Sequence, residues 1–138
     1  MSRLFRLLKA ALGDKVRADA RQFPASVVAC VLPRERFADA GREMKKAHAL
    51  LVAEWATDET AFGRGYGVYA CYRWAKDCVI VKSGLPADNP SFPTLTKSYA
   101  PAFRFERQMH SLMGVVPAGH PDLRPWIAFE DWPAGASP

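Results

Sequence analysis

The residues of this chain with the most chemical potential are few, and they gather late. Glu106 and His110 stand four apart, one helical turn, where a carboxylate and an imidazole can meet as a general acid–base couple. His120 and Asp122, two apart within Gly-His-Pro-Asp, offer a second such couple. The third histidine, His48, closes an amphipathic stretch, a place for a helix cap or a solvated side chain. None of the three sits in a nucleophile motif or at metal-ligand spacing from a cysteine. Cys30, Cys71 and Cys78 are odd in number, form no Cys-x-x-Cys, and lie in apolar, strand-like runs, so they read as buried, reduced thiols. Gly-Arg-Gly-Tyr-Gly at 63–67 is no phosphate loop, because a strand pattern follows it and no Lys-Ser/Thr does. What remains is the chemistry of recognition. Glu106-Arg107 reads as an ionic tie from a helix to neighbouring loops, and Arg124 with Trp126 pairs two residue types enriched at binding hot spots.

These side chains need a frame. Phe105, Met109, Leu112 and Met113 fall on one helical stripe, with Arg104, Arg107, Gln108 and Ser111 on other faces. Pro101 suits the first turn of that helix, and Gly114 suits a left-handed stop. Pro117, Pro121 and Pro125 stiffen the exit that carries His120, Asp122 and Arg124, which favours a fixed recognition surface over a mobile lid.

Upstream, residues 3–12 read as a basic amphipathic helix with Leu4, Leu7, Leu8, Ala11 and Leu12 on its apolar side. Packing on its own domain, docking on a partner and lying on an acidic membrane all suit such a helix. Ser26–Leu32 reads as a buried strand, and Pro33 opens a helix through His48. Like-charge pairs Glu35/Asp39 and Arg42/Lys46 leave packing of its Phe37–Met44 face to explain that helix. Strands follow at 49–57, 66–74 and 78–82, the last two as a hairpin turning at Ala75-Lys76-Asp77. The fold class is therefore α+β, strand-helix-strand-strand-strand-helix, with helices mainly on one face of a small sheet. Nine of the eleven prolines come after Leu85. Three segments are expected: a basic helix and linker (1–22), an α+β domain (23–116), and a proline-rich extended docking tail (117–138).

The 138 residues make one domain of ordinary soluble composition, and no apolar run approaches the roughly 20 residues of a membrane span. Residues 1–21 hold six bases and two acids, +4 of the net charge of +5, so the folded body carries no strong basic patch and nucleic-acid binding is not expected. The base-interrupted N-terminus lacks the apolar core of a secretion signal, so a cytoplasmic location is expected.

Pro-Thr-Leu-Thr at 93–96, Glu106-Arg107, Leu-Met-Gly-Val at 112–115 and Gly-His-Pro-Asp-Leu-Arg at 119–124 together resemble one family. It is the C-type, thirty-kilodalton-class peripheral-arm subunit of respiratory complex I, NADH–quinone oxidoreductase. The same domain begins the large subunit of some membrane-bound nickel–iron hydrogenases. The resemblance covers about residues 24–132. Four positions depart from the family pattern: Gln108 and Ser111 stand for carboxylates, Met113 for an aromatic, and Arg104 for a common tryptophan. The resemblance implies a non-catalytic scaffold subunit that binds no cofactor or metal itself. It would dock onto the large quinone-site or nickel–iron subunit, near iron–sulfur subunits, and meet the inner membrane only through the complex. The expected partner-contact residues are Glu106, Arg107, His120, Asp122, Arg124, Trp126 and Trp132. Two alternatives stand beside it: a stand-alone basic module for RNA or anionic membrane, and a small acid–base enzyme.

Overall fold

The computed structural model describes residues 2–18 and 27–126. Along the chain come α1 (Arg3–Leu12), β1 (Arg17–Ala18), β2 (Val27–Val31), α2 (Phe37–Lys46), β3 (Leu50–Asp58), β4 (Tyr66–Trp74), β5 (Asp77–Leu85), β6 (Ser91–Pro93), α3 (Ala102–Met113) and β7 (Val116–Ala118). Five strands form one sheet in the order β1-β2-β5-β4-β3, in which only the β2–β5 pairing is parallel. The short β6 and β7 pair in parallel by themselves.

Alternation along β4 dictates the layering. Val68, Ala70 and Tyr72 point into the core, beside Val79 and Val81 of β5 and Cys30 of β2. Onto that face pack α1 through Leu4, Phe5, Leu8 and Leu12, α2 through Phe37, Ala40 and Met44, and α3 through Ala102 and Met109. The α+β architecture with helices on one sheet face is thus the one the apolar pattern implies. The phenyl rings of Phe37 and Phe92 meet edge to face at 5.6 Å and join α2 to β6.

Several details differ from the sequence reading. In α1 the buried stripe is Leu4, Phe5, Leu8 and Leu12, while Leu7 and Ala11 face outward. The helix packs on its own domain, fixed by the Ser2 hydroxyl accepting from Phe5 N–H and by the Asp77 carboxylate accepting from Leu4 N–H at 2.8 Å. Local ion pairs do contribute to α2, contrary to the like-charge reading. Asp39 receives both Arg36 and Arg42, and Glu43 receives Lys46, all at three-residue spacing. A 3₁₀ turn at Arg34–Arg36 precedes that helix, and His48, at φ 59°, follows it in left-handed backbone.

A bulge in β3 has the largest consequence. Leu51 faces Tyr72 and Ala53 faces Cys71, so Val52 is an extra residue in its strand. The insertion shifts the inward alternation by one. Leu51, Glu54 and Ala56 face the core, and a carboxylate is aimed into an apolar interior.

Candidate functional site

The Pro93–Thr96 loop leaves β6 beside β7, held by Thr94 N–H donating to the Ala118 carbonyl at 3.0 Å. Its other anchor comes from α3. The Glu106 carboxylate accepts from the Thr94 hydroxyl at 2.5 Å and from Leu95 N–H at 2.6 Å. Thr94 in turn accepts from Thr96 N–H at 3.1 Å, so the loop closes on itself. Glu106 has no solvent exposure, and burial lifts its carboxyl to about 7 despite these two donors. Glu54, from β3, lies against it and is pushed well above the usual carboxylate range, first by burial and then by the Glu106 charge. Beside the loop lies a recess of about 270 Å³ whose rim carries Arg42 and Lys97.

The Gly-His-Pro-Asp turn is fixed from within. Gly119 takes φ 84°, and His120 N–H donates to the Pro117 carbonyl. The imidazole lies on the Phe103 ring at 4.9 Å and uses both nitrogens on backbone. Nδ1 accepts from Asp122 N–H at 3.0 Å, and Nε2 faces the Phe103 carbonyl at 3.0 Å. These partners fit a neutral ring with its proton on Nε2. Glu106 stands 4.0 Å from that nitrogen, beyond hydrogen-bond reach.

Beyond the turn the chain is strapped to α3. Asp122 grips Arg124 through both carboxylate oxygens, at 2.9 and 2.7 Å, which holds its carboxyl well below the usual range. Arg107 donates to the carbonyls of Arg124 and Pro125 at 3.1 and 3.3 Å. Its guanidinium lies 5.0 Å from the Trp126 ring centre, with Arg104 at 5.6 Å. Trp126 N–H donates to the Ser111 hydroxyl at 2.9 Å.

Among the expected contact residues, Arg107, His120, Asp122, Arg124 and Trp126 therefore form one assembly on one side of α3. Glu106 lies behind it in the interior, and Trp132 lies outside the described residues. Neither acid–base couple forms. His110 Nδ1 faces the Val115 carbonyl at 2.9 Å while Glu106 serves the Thr94 loop, and the Asp122 carboxylate serves Arg124. Glu54, Thr94, Tyr72 and Ser111 were not among the site residues read from the sequence. Ser111 carried a signal as a departure from the family pattern, and it anchors the strap. The three cysteines also differ from a uniform buried set. Cys30 is buried, whereas the hairpin brings half-buried Cys71 and Cys78 together with sulfurs 3.3 Å apart. Among the described residues no three His, Cys, Asp or Glu gather as a metal-binding group.

The family model described as respiratory-chain NADH dehydrogenase, 30 kDa subunit, matches residues 30–138. Hydrogenase-4 component G of Escherichia coli (strain K12) is 31% identical over 87 residues, which are 61% of this chain and 16% of that protein. The chain thus spans about a sixth of that relative's length. The C-type subunit of the NADH-quinone oxidoreductase of Geobacter sulfurreducens is 33% identical over 122 residues, 83% of this chain and 73% of that protein. Among solved structures, a trypsin-resistant fragment of Nqo5 superposes with a TM-score of 0.73 at 25% identity, over 88% of this chain and 99% of the fragment.

Proposed function

The chain belongs to the respiratory-chain NADH dehydrogenase 30 kDa subunit family, and from that membership we propose that it is a scaffold subunit without catalysis of its own. In this reading it sits in the hydrophilic arm of an NADH–quinone oxidoreductase or a related nickel–iron hydrogenase complex. It docks on the large quinone-site or nickel–iron subunit, and the iron–sulfur, quinone or nickel–iron centres belong to its partners. Its attachment to the membrane is through the complex, in keeping with the lack, among the described residues, of a helix long and apolar enough to cross a bilayer.

The observation that carries the reading is the strapped surface on α3. Both His120 nitrogens and the Asp122 carboxylate are committed to holding shape, which leaves no free acid or base there. Exposed Arg124 and Trp126 are presented on a pre-set frame, and ordering is the main cost that pre-setting removes from association. Glu106 supports the frame from inside and Arg107 cinches it, so both act on docking through the strap.

The test is purification of a tagged chain from cells that produce its complex, under gentle, low-salt conditions. A large quinone-site or nickel–iron subunit should come with it, accompanied by iron–sulfur proteins. Recovery of the chain alone, or turnover by the isolated chain that Arg107→Ala abolishes, would overturn the reading.

A further inference from the structure

Three of the four buried side-chain polar atoms that lack a hydrogen-bond partner among the described residues fall in one place: both carboxyl oxygens of Glu54 and the hydroxyl of Tyr72. Buried polar groups are ordinarily satisfied, so such a concentration calls for a missing hydrogen or ligand. The bulge at Val52 is what aims Glu54 inward, since regular alternation from Leu51 would have turned Ala53 to the core. What Glu54 meets there is the carboxyl of Glu106, which already accepts from the Thr94 hydroxyl and Leu95 N–H.

Two carboxylates have no hydrogen to share. Ionised together, in contact and out of water, they repel without compensation. If one carries a proton, its O–H donates to the other, and the contact becomes a strong, charge-assisted hydrogen bond. The two acids are not equivalent. Glu106 has two donors that stabilise its anion, and Glu54 has none, so the proton belongs on Glu54.

Among the described residues, no lysine or arginine pairs with either carboxyl. From β4 comes the Tyr72 hydroxyl; from the loop before α3 comes Tyr99, whose hydroxyl is spent on the Ala49 carbonyl. On β2 stands Cys30, and from the β7 exit comes His120, with Nε2 turned to the Phe103 carbonyl 4.0 Å from Glu106. Lys45 of α2 lies over the Tyr99 ring, with its ammonium 5.2 Å from the ring centre.

We propose that Glu54 and Glu106 form a proton-binding site, in which Glu54 keeps its proton at neutral pH and donates it to Glu106, and that this proton keeps the Pro93–Thr96 loop seated on α3. The direction of both carboxyls, raised above their ordinary range, agrees with the assignment. The site belongs to the folded chain alone and does not depend on which complex it joins.

Infrared spectroscopy of the intact chain tests it directly, because a protonated carboxyl has a C=O stretch separate from that of carboxylate. At about pH 7.5, some three units above the ordinary glutamate value, all but about one part in a thousand of the surface acids are ionised. A carboxylic acid band worth at least one carboxyl should remain in the wild type, and in Glu54→Gln it should fall to the minor share that Glu106, titrating near 7, still carries. Amide exchange at Leu95 gives a second readout, compared between about pH 7 and about pH 10. Wild type should gain at least about tenfold beyond the ordinary base-catalysed increase, and Glu54→Gln, whose amide still donates to Glu106, should follow the ordinary increase alone. Absence of the acid band in wild type at about pH 7.5 overturns the proposal, even if the variant does not fold. So does an excess acceleration at Leu95 that survives in Glu54→Gln.

Discussion

Arg107→Ala tests the strap most directly. The side chain is 14% exposed and makes two hydrogen bonds, to the carbonyls of Arg124 and Pro125. It also lies 5.0 Å from the centre of the Trp126 ring and 5.7 Å from that of Phe103. Hydrogen bonds near solvent contribute at the low end of their range, about 0.5 kcal/mol each, and partly exposed cation–π contacts about as much. Four such contacts sum to about 2 kcal/mol, or about a thirtyfold shift in an equilibrium. None of the four is to the sheet, so the loss should appear as local detachment of residues 122–126 and not as global unfolding. Amide exchange measures this residue by residue. Arg124 N–H, bonded to the Asp122 carboxylate, and Trp126 N–H, bonded to Ser111, should exchange about thirtyfold faster, while β4 and β5 amides stay at wild-type rates. Unchanged exchange at both residues would refute the reasoning, as would a uniform acceleration across the sheet. In the complex, the same variant should bind its partner more weakly, because the detached strap must be re-ordered at each encounter.

Glu106 gives a prediction in pH. Its carboxyl titrates near 7 when folded and near the ordinary 4.5 when unfolded, so the native state binds the extra proton between those values. Its contribution is therefore fully present below about 4.5 and falls by roughly 3 kcal/mol as pH rises through 7. Denaturant midpoints from pH 5 to 8 should decline in wild type and decline less steeply in Glu106→Gln, where the buried Glu54 alone still holds an extra proton in the folded chain; parallel slopes would rule out this origin. Asp122 runs the other way, since its lowered carboxyl adds stability above its ordinary 3.8 that is lost only as pH falls below it. Gly65 takes φ 73°, and a Cβ there would lie 2.2 Å from the Leu85 carbonyl oxygen. Gly65→Ala should lower stability by at least about 2 kcal/mol in urea unfolding, and a neutral result would contradict the backbone described. Thr94→Val removes one of the two donors to buried Glu106 while keeping shape, and should cost about 1–2 kcal/mol by the same measurement.

How much was legible in advance depended on the length and regularity of each element. β4 was readable to the residue because its nine positions run without a bulge and set Val68, Ala70 and Tyr72 on one face, and α1 was readable because leucines recur under a Gly13 stop. In α3 the apolar stripe located the helix, but its inner face is centred on Ala102, Glu106 and Met109, and Phe105 and Met113 are only partly covered. A charged letter at the centre of a buried face cannot be recognised without knowing what opposes it. Glu54 was hidden for a related reason. A one-residue bulge reverses inside and outside along β3, and nothing at Val52 announces it. Strands of two or three residues, such as β1, β6 and β7, have too little period to read; their neighbours recruit them. The expected contact residues from Arg107 to Trp126 were legible partly by residue type, as with Arg107, Arg124 and Trp126, and partly through family resemblance, as with His120 and Asp122, and their mutual bonding through Ser111 and the Phe103 carbonyl came only from the fold.

The two-stranded ribbon has one more property. Val116 N–H donates to Pro90 and the Ala118 carbonyl accepts from Thr94, so these residues of β7 turn toward β6 and the Pro117 nitrogen turns away. Pro93 is placed likewise on β6, between Phe92 and Thr94. Each strand of the ribbon thus turns a proline nitrogen, with no N–H to offer, away from its partner, and at β7 that side is covered as well, since Pro117 is buried and its carbonyl accepts from His120 N–H. The surface that supports the strap is in this way closed to strand addition by a neighbouring copy. An unassembled chain waiting for its partner has one fewer route into aggregates.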